Sequence, residues 1–259
     1  MTTQYGDTSV TLHGHVAVLE IDRPPNNHVS AGMMRDLADA FDALDAEPAC
    51  RALVLASAGR VFCGGADLHT PSGIASGNFE EVNPLYTQAV RLFSNKKPIV
   101  AAVQGAAVGA GLGLALVADF RVAAPEARFS ANFVKLGFHP GFGISHTLPR
   151  LIGEQKAALM MLTGRRVKAD EALAWGLVDE VVDFMSLRQR AVALATELAE
   201  SAPLAVQSTR LTLRGNLAAA VKAQTDHEFK EQSWLRKTAD FAEGVRSVAE
   251  RRPGVFQGE

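Results

Sequence analysis

The sequence predicts an α/β fold built on a mostly parallel sheet buried on both faces. Three observations carry this expectation. Apolar runs too short for surface helices occur at Arg51–Ser57, Ile99–Val103 and Phe120–Ala124. Helical periodicities alternate with them, the spacing of βαβ units. Residues 99–118 form an apolar run that four glycines and Gln104 interrupt, which reads as a buried strand, a tight loop and a buried helix. A length of 259 residues with 47% hydrophobic content suffices for one sizeable core.

The elements follow in order. Val16–Ile21 is a β-rich run that a turn at Gly14 can pair with Ser9–Leu12 as an opening hairpin. From Ser30, a candidate N-cap, Met34, Leu37, Ala38, Phe41 and Leu44 recur at helical spacing, with Asp36, Asp39 and Asp42 on the other face. Pro48 closes that helix. The strand Arg51–Ser57 runs into a glycine-rich loop, Ala58–Gly65, and after the loop Thr70–Asn78 a helix covers Glu80–Ser94. From Gly153 onward the reading is nearly all helix: Glu154–Leu162, Ala169–Trp175, Leu187–Glu200, Leu204–Leu213 and Leu217–Arg251. Gly215 and Gly244 read as breaks, and Val181–Val182 as a short extended piece.

Composition and motifs exclude several functions. A net charge of −2 without blocks of like charge argues against nucleic acid as a partner. Residues 99–118 have the length of a membrane span, but they are mostly Ala and Gly and no second such run exists, so no membrane partner is expected. Cys50 and Cys63 have no metal-site or disulfide-framework spacing, and Met1–Asp7 has no signal-peptide character, which together suggest a cytoplasmic protein. Leu114 and Leu116 stand where a dinucleotide fingerprint needs its last glycine. Glu231 stands where a zinc-protease helix needs its second histidine.

Two segments remain, Phe62-Cys-Gly-Gly-Ala-Asp-Leu68 and Gln104-Gly-Ala-Ala-Val-Gly-Ala-Gly-Leu-Gly113, each following a strand. With Asp22-Arg-Pro, Lys97-Pro-Ile-Val-Ala-Ala-Val-Gln-Gly105, Ala118-Asp-Phe-Arg-Val122, Leu162-Thr-Gly164, Gly176-Leu-Val178 and Pro253-Gly-Val-Phe-Gln-Gly258, they give the chain a resemblance to the crotonase, or enoyl-CoA hydratase/isomerase, superfamily. The resemblance covers essentially the whole chain in order. It implies a crotonase-like spiral of ββα repeats over residues 1–200 and a helical C-terminal trimerisation region over 201–259, giving a homotrimer or a dimer of trimers. It implies an acyl-CoA thioester as substrate and no separate cofactor, since CoA is part of the substrate. The backbone N–H groups of Ala66 and Ala110 would grip the thioester oxygen. Asp67, Leu68 and His69 would run along the CoA, and Gly109, Gly113 and Phe133 would border the acyl group.

The same resemblance marks a departure. Hydratases of this family hold water with two glutamates, and the matching positions here are Gly113 and Phe133. No Asp or Glu lies between Glu81 and Asp119, or between Glu126 and Glu154. Loss of such a group typically costs ~10²–10⁴-fold. The expected function is therefore an acyl-CoA enzyme, a lyase or isomerase of fatty acid metabolism, that stabilises a thioester enolate without two-glutamate hydration. A crotonase-type acyl-CoA decarboxylase and a non-catalytic acyl-CoA-binding protein are the alternatives. His139, in the loop beyond Phe133, is the candidate acid/base. Phe129, Phe133, Phe138 and Phe142 are candidates for an apolar acyl pocket, Lys96, Lys97, Arg165 and Arg166 for CoA phosphates, and Asp119 for a structural hydrogen bond.

Overall fold

The computed structural model describes residues 2–66 and 82–259. The chain opens with strands β1 (Thr2–Tyr5), β2 (Thr8–His13) and β3 (Val16–Ile21), then helix α1 (Ala31–Ala46) and strand β4 (Ala52–Ser57). Helix α2 (Val82–Phe93), strands β5 (Ile99–Val103) and β6 (Ala106–Val108), helix α3 (Ala110–Val117) and strands β7 (Phe120–Ala123) and β8 (Arg128–Ser130) follow. A 3-10 helix, Asn132–Leu136, leads to α4 (Ile144–Ile152), α5 (Glu154–Thr163), β9 (Val167–Lys168), α6 (Ala169–Trp175) and β10 (Glu180–Val181). Four helices complete the chain: α7 (Phe184–Glu200), α8 (Pro203–Arg214), α9 (Leu217–Leu235) and α10 (Ala239–Ala249).

The main sheet has seven strands in the order β1-β2-β3-β4-β5-β7-β10. The β1–β2 and β2–β3 pairs are antiparallel and the rest parallel. Strand β4 is buried along its whole length, and its alternate residues feed two cores. Leu53 and Leu55 join the core beneath α1 and α2, while Ala52, Val54 and Ala56 meet Leu187, Ala191, Ala195 and Ala199 of α7. That ridge, mostly alanine at four-residue spacing, lets α7 lie close on the sheet. Ser30 caps α1 by accepting a hydrogen bond from the Met33 N–H at 3.2 Å.

A second sheet, β6-β8-β9, stands beside the first. Its strands are two or three residues long, too short to leave a periodic signature, and the sequence reading misses them together with the 3-10 helix. Each of β5 and β7 bends into a short strand of the second sheet, which produces the ββα spiral that the resemblance implies. The isolated bridge Cys63–Ala107 fastens the loop after β4 to this layer, and the bridge Val29–Ala66 ties the same loop to the segment before α1. At the corner between β5 and β6, Gln104 Nε2 donates to the Ser57 carbonyl at 3.0 Å, and a Cβ on Gly105 would collide with the Arg60 carbonyl oxygen at 1.9 Å.

The C-terminal helices differ from expectation at one point. The break falls between α9 and α10, where the Thr238 hydroxyl accepts from the Phe241 N–H at 3.1 Å. Gly244 lies inside α10, where a Cβ would stand 2.5 Å from the Leu136 carbonyl carbon. It serves close packing rather than chain breaking. Val221 and Phe241 join the same core as the sheet, so α9 and α10 help to build the site below. Among the described residues no helix is long and apolar enough to cross a membrane.

Candidate active site

The loops after β4 and after β6 meet at a cavity of about 60 Å³. Gly64, Gly65, Ala66, Val108, Gly109, Ala110 and Asn132 form one part of its wall; Leu85, Tyr86, Phe133, Leu136, Phe138 and Arg236 form the remainder. Glycines permit the meeting. Gly65 has φ +84, and a Cβ there would stand 2.5 Å from the Val108 carbonyl oxygen and 3.6 Å from the Ala110 nitrogen. Gly109, with φ 56 and ψ −121, takes a backbone conformation that glycine alone adopts readily and delivers Ala110 as the first residue of α3.

These positions put Ala66 and Ala110 on the cavity wall. Ala110 opens a helix, so its N–H has no intrahelical acceptor and sits at the positive end of the helix dipole. Among the described residues neither it nor the Ala66 N–H donates to a backbone acceptor. Gly111 lets α3 pack directly on the other loop, since a Cβ on it would come within 2.1 Å of the Cys63 carbonyl oxygen. The structure thus brings Ala66, Gly109, Ala110 and Phe133 together. Asp67, Leu68 and His69 lie outside the described residues.

Gly113 sits one helical turn along α3, but its space is taken. A Cβ there would stand 2.5 Å from Cδ1 of Phe142, whose ring is fully buried at a φ of +66. Gly113→Glu alone is accordingly expected to lower stability by about 3 kcal/mol, from overpacking and a buried carboxylate, without conferring hydration. Thermal denaturation and a crotonyl-CoA hydration assay check both parts. Of the four phenylalanines, Phe133 and Phe138 line the cavity; Phe129 and Phe142 are core residues.

His139 does not reach the cavity wall. Its Nδ1 lies 2.8 Å from the Pro140 carbonyl oxygen, and its ring meets His227 edge-on at 5.8 Å. The turn at Pro140 and the hydrogen bond from Gln232 Nε2 to the His139 carbonyl, 2.8 Å, hold it there. Lys97 is also misplaced for a phosphate: it is buried and donates to the Leu44 and Glu47 carbonyls at the end of α1. Arg165 pairs with Glu171 at 3.1 Å. Asp119 is structural, accepting from the Ile99 N–H and from Arg210 and Arg214.

Sequence reasoning misses Tyr86 and Arg236, which come from α2 and the end of α9. The Tyr86 hydroxyl donates to Gln232 Oε1 at 2.9 Å. Burial, with the Glu228 carboxylate nearby, pushes this phenol well above its ordinary pKa, so it is a neutral donor at physiological pH. The Arg236 guanidinium lies 5.4 Å from the Phe138 ring centroid and 5.7 Å from that of Phe241. Among the described residues no Asp or Glu lines the cavity.

A fully buried carboxylate on α9 acts elsewhere. Glu228 accepts from the Gly143 N–H at 2.7 Å and from the Ser145 hydroxyl at 2.5 Å, capping α4. Burial pushes its pKa up to about 7 from an ordinary value of 4.5, against the opposing pull of those donors. Between these values the folded chain holds a proton that the unfolded chain has released. Stability from this group is therefore present below pH 4.5 and falls as pH rises through about 7, by on the order of 3 kcal/mol. Glu228→Gln is expected to flatten that part of a denaturation-versus-pH profile; an unchanged slope would exclude Glu228 as its source.

Comparison with known proteins agrees with this architecture. A family model described as enoyl-CoA hydratase/isomerase matches residues 11–259. The chain is similar to a mevalonyl-coenzyme A hydratase of Beauveria bassiana, 35% identical over 265 residues, covering 97% of this chain and 95% of that protein. It is also similar to the 1,2-epoxyphenylacetyl-CoA isomerase of Escherichia coli, 32% identical over 250 residues and covering 94% and 95%. Among solved structures, an enoyl-CoA hydratase/isomerase from Pseudoalteromonas atlantica superposes with a TM-score of 0.86 at 29% identity, covering 97% of this chain and all of that one.

Proposed function

The chain belongs to the enoyl-CoA hydratase/isomerase family, and from that premise we propose that it binds an acyl-CoA thioester and stabilises the enolate formed from it. One observation supports this reading: Ala66 and Ala110 line one cavity, in loops that interlock through Gly65 and Gly111. Two preorganised donors aimed at the thioester oxygen stabilise charge as it develops, and one such donor is typically worth ~3–4 kcal/mol. The names of the two relatives, both of which include a CoA thioester, support CoA as the handle of the substrate. Asp67, Leu68 and His69 would continue along that CoA.

The cavity wall favours chemistry that needs no carboxylate. In a decarboxylation, the electron pair of the breaking carbon–carbon bond moves into the thioester, carbon dioxide leaves, and the enolate carbon takes a proton from water. The expected reaction is therefore a decarboxylation or another enolate step, rather than two-glutamate hydration. A homotrimer or dimer of trimers belongs to the same proposal, supported by the exposed Leu204, Leu211 and Leu213 of α8, and light scattering should give a mass of three or six chains.

Infrared spectroscopy of a bound acyl-CoA labelled with carbon-13 at the thioester carbonyl tests the central step even without turnover. Polarisation by two N–H donors is expected to lower the carbonyl frequency relative to free thioester, and an unshifted band would refute the oxyanion reading. Assays of decarboxylation, isomerisation, hydration and thioester hydrolysis then separate enzyme from binder. A shifted band with no turnover in any of them would establish the non-catalytic alternative.

A further inference from the structure

Resting on the enolate-stabilising reading, we infer that Asn132 is the positioning residue for the water that gives the enolate its proton. Asn132 opens the 3-10 helix but does no capping there: the residue before it is Ala131, and no side chain caps that helix. Asparagine near a helix start ordinarily spends its carboxamide on nearby backbone. This one is half-buried on the cavity wall and, among the described residues, makes no side-chain hydrogen bond. A polar group left unpaired beside Leu85, Phe133, Leu136 and Phe138 is costly until something in the cavity meets it.

The fold holds Asn132 in this place from two sides. The Gly109 N–H donates to the Ser130 carbonyl at 2.9 Å, which ties the end of β8 to the loop before α3. From the other side, a Cβ on Gly164 would stand 3.3 Å from the Asn132 Cα. The side chain lies against Gly109, its Oδ1 3.4 Å from where a Cβ on that glycine would be. Gly109 directly precedes the Ala110 amide. A thioester whose oxygen meets that amide has its α carbon only two bonds from the oxygen, within reach of a water on Asn132.

The chemistry of the groups divides the work. The Tyr86 hydroxyl donates to Gln232 Oε1, whereas the Asn132 carboxamide brings two N–H donors and an acceptor and carries no charge. Asn132 cannot itself supply the proton. It holds a water through Nδ2–H; the proton of that water passes to the α carbon, the enolate's electron pair forms the new carbon–hydrogen bond, and the donor stabilises the hydroxide left behind.

Reaction in D2O reads the face on which the enolate is protonated, which a merely structural residue would not set. Butyryl-CoA reports enolates formed by proton loss and methylmalonyl-CoA those formed by decarboxylation; NMR gives the configuration of the deuterated α carbon. The full-length protein is expected to deuterate at least one of the two on a single face. Asn132→Ala should slow that reaction about tenfold, the effect of one lost hydrogen bond, and scramble the face. KM should stay within about twofold, and bound butyryl-CoA should keep its lowered carbonyl frequency. Asn132→Ser should restore part of the face preference. Should Asn132→Ala fail to fold, Asn132→Leu, which keeps the volume, takes its place with the same expectations. Deuterium placed equally on both faces by the unmodified protein, or a face preference that survives Asn132→Ala, would overturn this inference alone. No deuterium from either substrate would overturn it too, and an unshifted carbonyl band for bound butyryl-CoA would then take the underlying function with it.

Discussion

Ala110→Pro is expected to slow enolate formation by about 100- to 1,000-fold, the usual effect of deleting one oxyanion donor, while the fold survives. The substitution removes the N–H itself, which no ordinary side-chain change can do. Its position makes it structurally mild. Ala110 is the first residue of α3, where proline's fixed φ suits the helix and the absent N–H has no intrahelical acceptor to lose. Gly109, which precedes it, carries no Cβ to clash with the new ring. The melting temperature should stay within a few degrees of the unmodified protein. The rate of decarboxylation or α-proton exchange, whichever the unmodified protein performs, should collapse. Retention of full rate in a folded variant would remove Ala110 from the mechanism.

Gly111→Ala should damage both fold and function. The new Cβ would lie 2.1 Å from the Cys63 carbonyl oxygen and 2.8 Å from its carbon, both backbone atoms. Helix α3 and the loop after β4 must then separate by about 1 Å to reach van der Waals distance. Overpacking of this kind costs about 1–3 kcal/mol, or roughly 3–10 °C in melting temperature for a chain of this size. The same movement draws the Ala110 amide away from the Ala66 amide, and a misplacement of about 1 Å typically costs about 100-fold in rate. Scanning calorimetry and turnover measured together test this, since loss of stability at unchanged turnover would show that the two loops need not touch.

Much of the main sheet was legible because its central strands are buried on both faces. Strand β5 occupies the predicted residues, and β4 differs by one. The second sheet was not, because β6, β8 and β9 are defined by neighbours brought together through the spiral rather than by their own pattern. Glycine spacing pointed to the right loops, yet Gly244 shows its ambiguity: a residue read as a helix break proved to be a contact surface for Leu136. In the site, Ala66 and Ala110 could be placed through the resemblance and the glycines around them. Tyr86 and Arg236 could not, since Tyr86 lies on a helix of ordinary amphipathic pattern, Arg236 follows the end of α9, and only tertiary packing brings α2 and the end of α9 to one cavity. His139 illustrates the converse. Its position in sequence, just past Phe133, suggested a role that the Pro140 turn and Gln232 direct elsewhere.

A crystal structure with a non-hydrolysable acyl-CoA analogue tests the central claim most directly. The carbonyl oxygen should lie within about 2.7–3.2 Å of both the Ala66 and Ala110 nitrogens, the range of an N–H···O hydrogen bond. An oxygen that contacts only one of them, or a carboxylate side chain found beside the acyl carbon, would contradict it.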